Sequence, residues 1–333
     1  MNNKNNDQFN NNNNNNDNEN QQHPLLKNKK LLSLISSIVV IIALIIVGDY
    51  SGAMDSFMEL ISSSEQTQTS QTGTAVVSDD NSLEVHFIDV GQADAIVIRQ
   101  DEHTMIVDAG ENETGEEVVE YIKSLGITEF DYAVGTHPHS DHIGAMRKII
   151  NNFDIEEVFI PAVEHDTYTY EKTLSLIEEK GITLTIPEPM DTIEFGDAKI
   201  TFISPASSME FDDMNDYSIT FILEFEEFSA MFTGDMGVAA EKIILEKGYD
   251  IDCDVLKIAH HGSKTASSND FIDAVTPEYG IMTVALNHDS NLPAKTIVKR
   301  YEEKGVKLYR TDYDGNIVLT TDGENIEFET EKK

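Results

Sequence analysis

Between Thr136 and Ala145 the chain reads THPHSDHIGA, which places His137, His139, Asp141 and His142 within six positions. Imidazole nitrogens together with a carboxylate are the donors that a borderline-soft divalent cation such as zinc prefers. The preceding Asp131-Tyr132-Ala133-Val134-Gly135 reads as a short buried strand that ends where the histidines begin. At i and i+2 on a strand end, His137 and His139 point the same way. Asp141 and His142, past the turn, face a second ion beside the first. The chain has ten His in 333 residues, and three of them stand here. A polar loop rich in His by chance is a poor account of that density.

Other donors recur at the ends of apolar strands. Asp108 closes Val107-Asp108-Ala109-Gly110, Asp235 closes Phe232-Thr233-Gly234-Asp235, and His260 and His261 follow Lys257-Ile258-Ala259. The pattern H-x-H-x-D-H resembles the signature of the metallo-β-lactamase superfamily. HHGS at 260–263, followed by Thr265, Ser267 and Ser268, resembles the hydrolase domain of ComEC-like competence proteins. So do the opening FIDVGQAD at 87–94, NDYS at 215–218, and Arg310-Thr311-Asp312 with Gly315. The resemblance covers roughly residues 83 to 329.

That resemblance implies a role for each matching position. His137, His139, Asp141 and His142 would be metal ligands, Asp235 the carboxylate that bridges two ions, and Asp108 the partner that holds a ligating imidazole in place. One of His260 and His261 would complete the second ion's shell, the other contacting substrate or water; the reading favours His260 as ligand and His261 with Ser263 at the reacting centre. Asn215, Ser218 and Lys264 are candidate substrate contacts. Most superfamily members supply a further His between the HxHxDH cluster and the bridging aspartate. Here only His165 lies in that interval, outside the expected context. An oxygen ligand in its place would tilt preference from zinc towards manganese. Relatives often carry a His directly before a proline near the end. This chain has Leu292 before Pro293, with His288 upstream.

The elements that must position these residues alternate between short apolar strands and helices. Strands are expected at Leu83–Asp89, Ala95–Arg99, Met105–Asp108, Val158–Ile160, Lys199–Ser204, Ser218–Phe225, Ser229–Thr233, Asp254–Ile258 and Gly280–Ala285. Three more follow, at Lys307–Tyr309, Asn316–Thr320 and Ile326–Glu329. Helical spacing marks Gly115–Leu125, His142–Phe153, Thr169–Lys180 with Gly181 as C-cap, Val238–Lys247, Phe271–Ala274 and Ala294–Lys304. Periodicity supports an α/β domain; the four-layered αββα sandwich is what the resemblance implies.

Ahead of this domain, residues 1–30 begin with an Asn-rich tract too poor in apolar groups to order itself. Lys27, Lys29 and Lys30 precede the apolar run Leu31–Val47, about 25 Å long as a helix, near the lower limit for a bilayer span. The reading is a signal anchor over 31–48 with the amino end inside, or a cleaved signal peptide and a secreted product. Residues 49–82 read as a Ser/Thr/Gln-rich spacer before a hydrolase domain at 83–333. The single Cys253 excludes an internal disulfide. The net charge of −38 argues against a general basic groove for nucleic acid. An anionic ester, whether DNA or a cell-wall polymer, would be held by bound cations. No protein partner is indicated. Metal-assisted phosphodiester hydrolysis is thus the expected activity, with two divalent ions activating water. The alternatives are a cell-wall phosphorylcholine esterase and a non-catalytic metal-binding scaffold.

Overall fold

The computed structural model describes residues 82–286 and 290–332. The Asn-rich tract, the apolar run and nearly all of the spacer lie outside the described residues, as does His288. Among the described residues no helix is long and apolar enough to cross a membrane.

The chain runs through β1 (Leu83–Phe87), β2 (Ala95–Gln100), β3 (His103–Ala109), α1 (Gly115–Ser124), β4 (Glu129–Val134), α2 (Ser140–Ile143), α3 (Met146–Asn152), β5 (Asp154–Phe159), α4 (Tyr168–Lys180) and β6 (Thr183–Thr185). A second run holds β7 (Thr192–Phe195), β8 (Ala198–Ser204), β9 (Thr220–Phe225), β10 (Phe228–Phe232), α5 (Val238–Lys247), β11 (Val255–Lys257), α6 (Asn269–Val275), β12 (Tyr279–Met282), α7 (Lys295–Glu303) and β13 (Lys307–Arg310). The last part has α8 (Thr311–Asp314), β14 (Ile317–Thr321) and β15 (Ile326–Thr330). Two sheets result, ordered β15-β14-β1-β2-β3-β4-β5-β6 and β13-β12-β11-β10-β9-β8-β7.

Alternation of apolar side chains fills the space between the sheets. Phe87 of the first sheet stacks on Phe232 of the second, which stacks in turn on Phe221. Ile98, Met105, Phe202 and Leu319 join the same buried cluster. The outer face of the first sheet is covered by α1, α3 and α4 through Val118, Ile122, Ile149 and Ile177. The outer face of the second is covered by α5, α6 and α7 through Ile244, Phe271, Ile297 and Tyr301. Helices, sheet, sheet and helices make four layers, as the resemblance implied.

Departures from the expected elements are local. The stretch expected as one helix over 142–153 is two, α2 and α3, parted at Gly144 and Ala145. A Cβ at Gly144 would meet Ser140 O at 2.2 Å and Asn112 N at 2.7 Å, so only glycine lets the chain pass there. Strands β6 and β7 lie outside the expected elements, being short, partly exposed and without a clean period of two. The left-handed Gly181 does close α4, and Thr167 caps its start by accepting from Tyr170 N.

Strands β3, β4, β5 and β6 are mutually parallel, as are β10, β11, β12 and β13. Asp108 is the penultimate residue of β3, and the loops leaving β4, β10 and β11 carry His137 to His142, Asp235, and His260 with His261. All the donors therefore gather at carboxyl ends of parallel strands, where loops from both sheets meet. A backbone bond from Ile219 N to Thr136 O, 2.9 Å long, joins the sheets at that edge.

Candidate metal centre

The second sheet delivers Asp235 through a tight turn. Gly234 takes a left-handed conformation, φ +48°, and a Cβ there would press on Ser218 and Thr136 at 3.0 Å. Its lack of a side chain lets the Asp235 loop lie against the His137 loop. The Asp235 N–H donates to Ser218 Oγ at 3.0 Å, and that oxygen lies 3.3 Å from His137 Nδ1.

Asp141, His142, Asp235 and His261 each bring a donor atom within 4.8 Å of the others. His142 Nε2 lies 3.3 Å from Asp235 Oδ1, and His261 Nε2 lies 3.5 Å from Asp141 Oδ2 and 3.7 Å from Asp235 Oδ2. Each imidazole is braced from behind. His142 Nδ1–H donates to Asp108 Oδ2 at 2.7 Å, and His261 Nδ1–H donates to the Thr283 carbonyl at 2.7 Å. Those acceptors fix the protons on Nδ1 and aim both Nε2 atoms inward. His142 Nε2, His261 Nε2 and Asp235 Oδ1 are then buried polar atoms without a hydrogen-bond partner. Buried orphans of this kind are costly. Three converging orphans separated by about the span of two ligands on one ion fit a divalent metal.

Asp108 holds its place in a strained left-handed conformation, φ +57°. It accepts from Thr136 N at 2.8 Å, from Thr136 Oγ1 at 2.7 Å and from His142. Asp94, Asp108 and His142 form a second close grouping. There the oxygens are already taken by Lys257, Thr283, Thr136 and His142 itself, so this grouping braces rather than receives.

Beside the deep cluster lies a shallower pair. His137 Nε2 and His139 Nδ1 are 3.0 Å apart, close to the separation of two nitrogens on one ion, about 3.3 Å in a tetrahedral zinc shell. The ring centroids of His137 and His142 are 4.1 Å apart, so pair and cluster adjoin. The donor set therefore suits two divalent ions side by side.

Electrostatics follow from crowding. Burial pushes the Asp235 carboxyl up, but His261 and His142 more than reverse this and hold it well below the usual range. Burial opposes charge on His142 and His261, yet Asp235, with Asp108 and Asp141 respectively, raises both. Asp141 likewise stays below the carboxylate range against burial, through His261 and His142. His137 goes the other way: burial and the neighbouring His142 drive it well below 6.5, so it is a neutral imidazole.

The remaining expected residues fall as follows. His261, rather than the expected ligand His260, joins the deep cluster. His260 sits at the rim, its side chain 23 % exposed, with Nε2 3.7 Å from Asp235 Oδ2 and Nδ1 3.1 Å from Thr265 Oγ1. Both residues are left-handed, at φ +50° and +52°. That turn sends adjacent side chains to different depths, which strand alternation could not foretell. Ser263, expected at the reacting centre, pairs with Thr265 Oγ1 at 2.9 Å, and its N–H donates to the His260 carbonyl at 2.8 Å. Lys264 is exposed, and among the described residues it has no bond to them. Ser218 lies under His137 and Asp235 rather than facing open space, and the Asn215 Oδ1 is buried without a partner. His165 comes nearer than expected: its ring centroid is 6.2 Å from that of His139. Asp94, Thr136 and Lys257 stand inside motifs of the sequence that do not mark their bracing role, and Thr283 stands outside them, although a lysine closing the apolar strand Val255–Lys257 is a readable signal.

Two facing sheets with buried His and Asp donors at their common edge define the class, a metal-dependent hydrolase. Residues 88–284 match the metallo-β-lactamase superfamily, and the chain belongs to it. Within that superfamily it is similar to the ComE operon protein 3 of Bacillus subtilis (strain 168), 24% identical over 252 residues, 70% of this chain and 32% of that protein. It is also similar to the Competence protein ComA of Neisseria gonorrhoeae, 27% identical over 243 residues, 71% of this chain and 32% of that protein. The chain thus spans about a third of the length of these relatives, and the ComEC-like resemblance carried by its motifs is borne out. Among solved structures, the metallo-β-lactamase fold protein YhfI from Bacillus subtilis aligns with a TM-score of 0.49 at 12% identity, over 72% of this chain and 100% of that one.

Proposed function

We propose that this chain is a phosphodiesterase, acting on DNA, that uses two divalent ions, zinc or manganese. The observation that carries it is the convergence of three buried, unpartnered donor atoms, His142 Nε2, His261 Nε2 and Asp235 Oδ1. Asp141, His142, Asp235 and His261 would hold one ion, and His137 and His139 the other, with Asp235 between them. Ions there would supply an acidified water and a counter-charge to the substrate oxygens. The chain's own part is to hold the donors still. Asp108 and Thr283 lock two imidazoles, Ser218 locks Asp235 against His137, and the partly exposed His260 borders the side open to substrate.

The competence names of the relatives support DNA as the ester. An acidic protein can still bind it, because dications at the site reverse the local sign. We also propose that the apolar run Leu31–Val47 anchors the chain with this domain outside; protease treatment of intact cells should then remove the domain. The test of function uses the full chain and its Asp235→Ala variant with bis-p-nitrophenyl phosphate, linear DNA, phosphorylcholine esters and nitrocefin. DNA cleavage lost with Asp235→Ala supports the proposal. Turnover confined to phosphorylcholine esters or nitrocefin would redirect the substrate, and tight metal without turnover of any ester would make the domain a scaffold.

A further inference from the structure

Lys257 is the one buried Lys or Arg among the described residues, only 1% exposed. Its Nζ lies 2.7 Å from Asp94 Oδ2 and donates to Ile258 O at 3.3 Å. Asp94, equally buried, is the tie between loops that carry the donors. Its N–H donates to Asp141 O at 3.0 Å, its C=O accepts from Gly110 N at 2.7 Å, and its Oδ1 accepts from Thr283 Oγ1. The same carboxylate lies 3.6 Å from His261 Nδ1 and 4.0 Å from His142 Nδ1. The pair therefore stands directly behind the two imidazoles, on the side opposite their unpartnered Nε2 atoms.

Four carboxylates, of Asp94, Asp108, Asp141 and Asp235, crowd this volume with a single permanent cation among them. We propose that Lys257 is a fixed internal cation of the metal centre. It makes the Asp94–Lys257 pair a rigid brace without net charge for the Asp141 loop and His261, and it moderates from behind how strongly the carboxylates attract a dication. The assignment rests on the metal reading above.

Charge and packing roles predict opposite signs for Lys257→Met and different outcomes for the double variant. If Lys257 and Asp94 matter only as packing, then Asp94→Asn, Lys257→Met and the double variant all loosen metal binding. If their charges matter, Lys257→Met leaves one uncompensated carboxylate near the ions and tightens zinc binding by about tenfold or more. Asp94→Asn leaves an uncompensated cation and weakens it by a similar factor, while the double variant returns to within about threefold of wild type. The measurement is zinc titration of the full chain against a chromophoric chelator at pH 8, far above the ordinary carboxylate range. A second reading is the melting temperature in excess chelator and in zinc: Lys257→Met should lose more when metal-free than when loaded. Should Lys257→Met fail to fold, Asp94→Asn against the double variant carries the same contrast. Zinc affinity that falls in Lys257→Met, or is unchanged in Asp94→Asn, overturns the assignment. A wild-type chain that takes up no zinc would instead overturn the metal reading itself.

Discussion

The two halves of the candidate centre are built to different standards. In the deep cluster, His142 and His261 are fully enclosed and backed by Asp108 and the Thr283 carbonyl, and two carboxylates face them. In the shallow pair, His137 leans on Ser218, and His139 meets only the rings of His137, at 3.0 Å, and His165, with no carboxylate or carbonyl bonded to its ring among the described residues. Preorganised donors lose less freedom on binding, and carboxylates add attraction. The difference teaches that affinity should be staged, with the deep ion held tightly and the shallow one exchangeable.

Asp235 faces the deep cluster and, in the proposed reading, would lie between the two ions, so Asp235→Asn should erase the contrast. Bound metal should fall below one ion per chain, and ester turnover should drop on the order of a thousandfold or more, read by elemental analysis and kinetics. Variants of one half should sharpen it. After dialysis, His139→Ala should keep about one tightly bound ion, whereas His261→Ala should keep only weakly bound metal; equal losses would show that the halves do not differ. A smaller effect follows from the brace alone. Asp108→Asn leaves every donor in place yet should weaken the deep ion by roughly ten- to a hundredfold.

The slightest effect is one of pH. In the metal-free chain Asp235 and its neighbours make His142 and His261 hold their second proton to higher pH than an ordinary imidazole, whereas burial makes His137 give its proton up at lower pH. Stability from the two raised groups is complete below their unfolded value near 6.5 and is lost as pH climbs through their folded values. Chelated protein should therefore melt lower as pH rises above about 6.5. Metal entry must expel those protons, so deep-site affinity should climb with pH, by up to about tenfold per unit for each proton released. Calorimetry in buffers of different ionisation enthalpy should find that proton release in wild type and find it diminished in His261→Ala.

Much of the molecule was legible because local pattern and global position agree. The His137 to His142 spacing, the apolar strands before Asp108 and Asp235, and the Gly181 cap all state their structure within a few residues. What escaped depends on the third dimension. Which of His260 and His261 turns inward is set by successive left-handed residues that no hydrophobic period encodes. Asp94 and Lys257 stand 163 positions apart in the chain and meet only because β11 runs beneath the loop between β1 and β2. His165 stands outside the expected sequence context, yet the loop after β5 carries it towards His139.

Strand β1 lies between β2 and β14, pairing Leu83 with Thr321 and Phe87 with Ile317. One flank of β1 is thus matched by a strand that lies far later in the chain. During synthesis from the amino end, that flank and the phenylalanines beneath it must wait until Thr321 has left the ribosome. A nascent chain halted earlier would present an open, apolar strand edge, prone to stick to its copies and dependent on chaperones for its solubility.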